Sequence, residues 1–148
     1  MESVFVYYAH AMCMYGTEVE ADEIAAITKH LPFYDIVDPS ALQTKADKSD
    51  DGMRYFFRVI DYCDALVFSR LLGNITSGVG LEVNHALTRH LTVYELVNGK
   101  IVKTTTPVKF LSREETLKKY ALWRTTVGLD KPGDFNTRKE RTNEVYSS

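Results

Sequence analysis

Glu82 is the side chain in this sequence best placed to do chemistry. It stands at the start of a predicted helix, directly after a loop rich in Gly, Ser and Thr, and that loop follows an apolar strand. A carboxylate beside a glycine-rich turn, at the carboxyl end of a buried strand, can touch a small polar molecule. Residues 63–91 therefore indicate chemistry on a nucleotide-like compound, although a glutamate at this place could also simply cap the helix.

Alternating strands and helices must position this acid. β-rich runs predict strands at 4–9, 33–37, 65–69, 91–97 and 100–105, and helical spacing predicts helices at 18–31, 53–62, 81–90 and 112–127. Asn98-Gly99 predicts a hairpin, and Ser112 with Glu115 predicts a capping box. The polar, charged segment 40–52 is predicted to be a mobile connection and a candidate flap.

This order of elements predicts an α/β fold. We expect a flavodoxin/Rossmann-like three-layer sandwich with a mostly parallel sheet of about five strands, plus a hairpin and a C-terminal helix. Ligands of such sheets bind at the carboxyl edge of the strands, so loops 10–17 and 71–80 should meet there. Residues 1–129 are expected to form one domain, which Gly128 helps to end, and residues 130–148 a polar tail.

Composition narrows the class of function. The chain has 148 residues, a net charge of −2, 45% hydrophobic residues and no long apolar run. This balance argues against general nucleic-acid binding and against a membrane span. Cys13 and Cys63 fit neither a disulfide framework nor a metal-binding pattern, so the cytoplasm is the expected compartment.

Three stretches together resemble the nucleoside 2-deoxyribosyltransferase superfamily. They are VYYA (6–9), CDALVF (63–68) and SGVGLEVNHA (77–86), and the resemblance spans residues 4–97. The last stretch is most similar to that of the nucleoside 5′-monophosphate N-glycosidases. The resemblance implies that Glu82 attacks the anomeric carbon of a nucleoside or nucleotide and forms a glycosyl ester, with no metal and no redox cofactor. It also implies a homodimer or higher homo-oligomer, for which Trp123 is a candidate interface residue, although core packing explains it equally.

The resemblance also assigns roles around the nucleophile. Tyr7 would hold the ionised glutamate through a hydrogen bond, although it could equally be a core aromatic residue. Thr76 falls where the monophosphate hydrolases bind the 5′-phosphate. Hydroxyls and amides at a helix amino terminus make a phosphate cradle, and an ordinary turn is the alternative. The candidate substrate-binding residues are His10, Tyr15, Gly16, Thr17, Thr76, Ser77, Gly78 and Gly80.

One position departs from the family pattern. Relatives commonly carry an aspartate eight residues before Asp64, where this chain has Phe56. Asp61 and Asp51 are substitutes that do not match the motif, so the general acid is unassigned. This gap leaves open a catalytically altered nucleotide-binding protein, acting as a sensor or by sequestration. Cleavage of a dinucleotide is a weaker alternative.

Overall fold

The β-rich runs of the chain assemble into one five-stranded sheet. The computed structural model describes residues 3–127, and its strands are β1 (Val4–Ala9), β2 (Tyr34–Val37), β3 (Ala65–Phe68), β4 (Thr92–Val97) and β5 (Lys100–Thr104). Their order is β2-β1-β3-β4-β5, with the first four parallel and β5 antiparallel to β4. The predicted α/β fold is confirmed, and the predicted hairpin is the β4–β5 edge of the same sheet.

Helices cover both faces of this sheet. They are α1 (Glu18–His30), α2 (Gln43–Ser49), α3 (Met53–Asp61), α4 (Ser77–Thr88) and α5 (Arg113–Thr126). Ile27 of α1 packs with Tyr8 on one face, while Val83 of α4 packs with Tyr7 on the other. Successive strand residues thus point to opposite faces, as the pleat requires. Within residues 3–127, each helix is too short or too polar to traverse a bilayer.

The segment 40–52 is more regular than its composition suggests. A 3₁₀ turn (Pro39–Leu42) leads directly into α2, and the chain then turns at Asp50, whose φ is 60°. The predicted connection therefore contains a turn and a short helix, and its role as a mobile flap stays a prediction. Asp38 caps the turn by accepting a hydrogen bond of 2.9 Å from the Ser40 amide, and Ala46 is the one residue of α2 that is buried. Such a short helix presents too small an apolar face for its period to stand out in the sequence.

Helix α4 begins one turn earlier than predicted. Thr76 has an extended backbone and is the N-cap, so Ser77 is the first helical residue instead of Leu81. The two glycines of this turn favoured a loop on propensity alone. Their helical conformation is stabilised by the 2.9 Å hydrogen bond from the Gly80 amide to the Thr76 carbonyl and by packing against the segment that precedes α5.

The predicted hairpin turn and the predicted capping box are confirmed. Asn98 and Gly99 have φ values of 51° and 77°, the left-handed pair that a two-residue hairpin turn requires. Ser112 and Glu115 form both hydrogen bonds of the capping box, at 3.1 and 2.9 Å. The predicted helix stop at Gly128 and the tail 130–148 lie outside the described residues.

Candidate active site

Tyr7 and Glu82 form a buried pair between the sheet and α4. The Tyr7 hydroxyl donates a hydrogen bond of 2.5 Å to Glu82 Oε2, and the two side chains belong to residues 0% and 7% exposed. Tyr7 lies near the carboxyl end of β1, and Glu82 in the second turn of α4. The fold therefore joins the two residues that the sequence assigned to catalysis.

Burial dominates the electrostatics of this pair. It raises the pKa of Glu82 to about 8, an effect that the Tyr7 hydrogen bond opposes but does not cancel. The pKa of Tyr7 is raised well above its ordinary value by burial and by the charge of Glu82, so Tyr7 keeps its proton and remains a donor. A carboxyl group with a pKa near physiological pH can exchange its proton during a reaction, which is typical of catalytic acids and nucleophiles.

Open space lies at Gly78 in the first turn of α4. Gly78 is four residues before Glu82 and therefore on the same helical face. A Cβ placed on Gly78 would have no atom of another element within 4 Å. Because helix side chains lean toward the amino terminus, the missing side chain leaves room next to the carboxyl group. Gly80 is different, since its missing Cβ would lie 2.2 Å from the Phe110 ring.

The start of α4 carries an unusual hydroxyl group. Thr76 is 2% exposed, and its Oγ1 has no hydrogen-bond partner in residues 3–127. It does not cap its own helix, although it occupies the N-cap position. The Ser77 amide donates instead to Thr116 Oγ1 at 2.9 Å. The Gly78 and Val79 amides have no intrahelical acceptor, because the first turn of an α-helix leaves them free. Two amides and one buried hydroxyl thus meet where an anion is favoured.

Tyr15 connects this site to the loop after β1. It is 4% exposed, and burial followed by the charge of Glu82 raises its pKa well above the ordinary value. Its ring lies 5.0 Å from that of His10 in a tilted arrangement. The electrostatic influence of Glu82 on Tyr15 indicates that the loop after β1 and Glu82 lie in one region at the carboxyl edge of the sheet.

His10, Gly16 and Thr17 are engaged by the protein itself. His10 Nδ1 lies 3.0 Å from the Tyr8 carbonyl oxygen, and Nε2 lies 2.7 Å from Glu20 Oε2. The Gly16 amide donates to Glu20 at 3.0 Å, and Thr17 caps α1 by accepting from the Glu20 amide at 3.2 Å. Substrate binding by these three groups, as predicted from the sequence, would break these hydrogen bonds. Glu20, which organises all three, was missed.

The substitute acids lie elsewhere. Asp61 binds His85 at 2.8 Å and Arg89 at 3.0 Å on the surface, and Asp51 pairs with Arg58 at 2.6 Å. Phe56, at the family's acidic position, is a core residue that packs in the same cluster as Tyr7. Both substitute acids are therefore engaged in surface ion pairs, and neither replaces the acid that the resemblance leads us to expect at Phe56.

Two further residues shape the site without a signal in the sequence. Phe110 covers Gly80, and Asn84 fixes the same chain segment by exchanging hydrogen bonds of 3.1 and 2.8 Å with the Val108 backbone. Trp123, a candidate interface residue, is 5% exposed and packs in a core cluster with Met14. These contacts link residues far apart in the chain, which a reading of local pattern does not detect.

Comparison of the chain with protein-family models, with curated proteins and with solved structures gives no match. The resemblance to the deoxyribosyltransferase superfamily therefore stays a prediction from the sequence. The function has to be argued from the residues and geometry of the site.

Proposed function

We propose that the protein cleaves or transfers the N-glycosidic bond of a nucleoside or nucleoside 5′-monophosphate through a covalent glycosyl-glutamate intermediate. The observation that carries this proposal is the 2.5 Å hydrogen bond between Tyr7 and a buried Glu82, which lies one helical turn after the open position at Gly78. Burying a carboxyl group costs free energy, even when a tyrosine donates a hydrogen bond to it. Such a group is useful in a reaction whose anomeric carbon develops positive charge, which gives a reason to retain Glu82.

The chemistry needs only the carboxylate and water. Glu82 Oε1 attacks the anomeric carbon as the bond from that carbon to the base nitrogen breaks, and the bonding electron pair leaves with the base, which takes a proton from water. Tyr7 keeps its hydrogen bond to Oε2 and stabilises the charge on the glutamate. Water, or a second base, then attacks the same carbon, breaks the ester and regenerates the carboxylate. Two displacements retain configuration.

The amino terminus of α4 is the proposed 5′-phosphate site. Thr76 Oγ1 has no partner in residues 3–127, and the Gly78 and Val79 amides are free of intrahelical bonds. Thr76 and Glu82 are six residues apart on α4, about 9 Å along the helix axis. That separation leaves room for a sugar phosphate between the anion site and the nucleophile, which favours monophosphates over free nucleosides.

Base release from a defined panel tests the proposal. The full-length protein is incubated with deoxynucleosides, ribonucleosides and their 5′-monophosphates, with and without a second free base, and the products are separated by chromatography. We expect release from at least one monophosphate by the wild type and none by Glu82→Gln. Denaturing mass spectrometry of a slow substrate should give an adduct of one sugar on the peptide that carries Glu82. A folded protein that releases no base from any member of the panel would contradict the activity.

A nucleotide-binding protein without turnover is the second candidate. Phe56 in place of the family's acid favours it, because no acidic side chain on α3 is left to assist the departing base. Calorimetry separates the two functions. Tight binding of a monophosphate without product, and with the same affinity in Glu82→Gln, would identify a sensor or sequestering protein instead of an enzyme.

A further inference from the structure

A second cluster of polar side chains lies at the β1–β2 side of the same sheet edge. His10 directly follows β1, Asp38 directly follows β2, and Glu20 lies in the first turn of α1. One donor atom from each of the three lies within 4.8 Å of the other two. This cluster plays no part in the glycosidic chemistry, and it does not depend on the proposed function.

The orientation of the His10 ring is fixed by its surroundings. Nδ1 lies 3.0 Å from the Tyr8 carbonyl oxygen, which can only accept, so Nδ1 carries a hydrogen and donates it. The ring also stacks on that of Tyr8, with centroids 3.7 Å apart and planes 2° from parallel. Nε2 therefore faces the cluster, where it donates to Glu20 when it carries a hydrogen and offers a lone pair when it does not. Metal-binding histidines are commonly held in this way, with the second ring nitrogen donating to a carbonyl.

Two carboxylates face that nitrogen. Glu20 Oε2 lies 2.7 Å from Nε2 and Asp38 Oδ1 lies 3.9 Å from it, while the His10 side chain is fully buried. Within residues 3–127, His10 is the only ion-pair partner of Glu20 and Asp38, and neither Lys nor Arg neutralises them.

We propose that His10, Glu20 and Asp38 bind a divalent first-row transition metal ion such as Zn²⁺ or Mn²⁺. One ring nitrogen and two carboxylate oxygens converge here, and a divalent cation can take the place of the Nε2 hydrogen between them. An imidazole with two carboxylates suits these ions better than Mg²⁺ or Ca²⁺. Metal–ligand distances of about 2.0–2.2 Å put tetrahedral donors ~3.4 Å apart. The 2.7 Å gap must widen by about 0.7 Å and the 3.9 Å gap narrow by about 0.5 Å, which side-chain rotation achieves.

The ion would add a link between two paired strands and the helix that follows the first of them. It ties the ends of β1 and β2 to the first turn of α1, beside the loop that carries Tyr15. The Glu20 and Asp38 side chains are 10% and 20% exposed, so water reaches the remaining coordination positions. An ion here would stabilise the fold by binding the native state alone.

Titration of metal-free protein tests this site. Full-length protein is stripped with EDTA, dialysed, and titrated separately with Zn²⁺, Mn²⁺ and Mg²⁺ by calorimetry, with free Mn²⁺ also followed by electron paramagnetic resonance. We expect one equivalent of Zn²⁺ or Mn²⁺ to bind and to raise the melting temperature. Asp38→Asn and Glu20→Gln should each weaken binding by about tenfold or more.

His85→Gln is the matched control, because His85 also pairs with an aspartate at 2.8 Å but lacks the second carboxylate. It should keep the full stoichiometry and affinity. Circular dichroism verifies that each variant is folded. If Glu20→Gln does not fold, Asp38→Asn alone tests the metal affinity.

Nitrogen-15 NMR of the imidazole provides a readout independent of affinity. On addition of Zn²⁺ the His10 Nε2 resonance should move to the range of a coordinated nitrogen, while Nδ1 keeps its hydrogen. A folded protein that takes up no metal, with His10 doubly protonated between the carboxylates, would overturn the proposal. So would metal binding that Asp38→Asn leaves unchanged and His85→Gln removes.

Discussion

The Tyr7 hydroxyl and the Glu82 carboxylate are joined by a 2.5 Å hydrogen bond, although 75 residues separate them in the chain. Strand β1 supplies the donor, and helix α4, which follows β3, supplies the acceptor. Strands β1 and β3 are neighbours at the point where the strand order reverses. The pair lies out of water, so its energetics depend on which of the two groups holds the proton. Most of the expected behaviour of the site follows from this dependence.

Replacement of Tyr7 by Phe should move the pH dependence of activity. The Tyr7 hydrogen bond lowers the pKa of Glu82, so its loss raises this pKa above about 8. The ionised nucleophile becomes scarcer at neutral pH, and kcat/KM should fall about 10–100-fold there. The rising limb of the pH profile of base release should shift to higher pH.

Tyr8→Phe is the control for this shift. It removes a neighbouring hydroxyl that points to the opposite face and donates to Glu23 at 2.5 Å. The midpoint of the rising limb should stay where the wild type has it. An unchanged midpoint in Tyr7→Phe would mean that the hydrogen bond does not tune the nucleophile.

Replacement of Glu82 by Gln should remove activity and preserve the fold. The amide cannot form the glycosyl ester, so base release should drop by about 10³-fold or more. Glu114→Gln, which alters a side chain that is 83% exposed, should retain wild-type rates. Chromatographic rates for both variants, with circular dichroism as the fold check, decide the outcome. Residual turnover in Glu82→Gln near the wild-type rate would exclude glutamate as the nucleophile.

Glu82 should also make stability depend on pH. Its pKa is about 8 in the folded protein, against 4.5 for an unperturbed carboxyl group. The folded state therefore binds the proton more tightly than the unfolded state. The stabilisation is fully present below pH 4.5, declines as the pH rises, and is lost once the pH passes about 8.

Denaturant titrations at several pH values check this linkage. The difference in the free energy of unfolding between Glu82→Gln and the wild type should grow in favour of the variant from pH 5 to pH 8 and then level off. A difference that is constant across this range would show that Glu82 titrates normally.

The sequence predicted the elements that carry strong periodicity. Strand β1 was predicted with its correct bounds, because Val6 and Tyr8 alternate with Tyr7 and Ala9 between two buried faces. The hairpin turn was recognised because left-handed backbone at Asn98 and Gly99 has a strong residue signature. These signals are local, and the fold does not override them.

Features that depend on tertiary contact were not predictable in the same way. The first turn of α4 contains two glycines, and the packing of Phe110 against Gly80, a residue 30 positions away in the chain, helps to explain why that turn is helical. The roles of Gly16 and Thr17 were assigned to substrate because nothing in the sequence indicates that Glu20 accepts from the Gly16 amide and donates its own amide hydrogen to Thr17 Oγ1. Tyr7 and Glu82 were paired through a family resemblance, since periodicity alone cannot tell which strand residue meets which helix residue.

Thr76→Val should discriminate between substrates with and without a phosphate. The hydroxyl has no partner in residues 3–127, so its loss should leave the free energy of unfolding unchanged or raise it by up to about 1–3 kcal/mol, the cost of a buried unsatisfied group. KM for a nucleoside 5′-monophosphate should increase about tenfold or more, while KM for the free nucleoside stays constant.

Thr116→Val provides the contrast. Thr116 Oγ1 accepts from the Ser77 amide at 2.9 Å, so its removal should destabilise the protein by about 1 kcal/mol or more. Equal effects of Thr76→Val on both substrates would argue against a phosphate at the start of α4.

The two glycines of α4 should respond to alanine in opposite ways. In Gly78→Ala the new Cβ meets nothing within 4 Å, so the free energy of unfolding should rise by about 0.5–1 kcal/mol through the better helix propensity. The same methyl group fills the space one turn before Glu82, so base release should fall despite the greater stability.

In Gly80→Ala the Cβ would lie 2.2 Å from Phe110, and the free energy of unfolding should fall by about 1–3 kcal/mol. Phe110→Ala, combined with Gly80→Ala, should recover part of that loss. Thermal and denaturant unfolding, measured beside base-release rates, separate the two effects. Full activity in a stabilised Gly78→Ala variant would mean that the space beside Glu82 is not where the sugar binds.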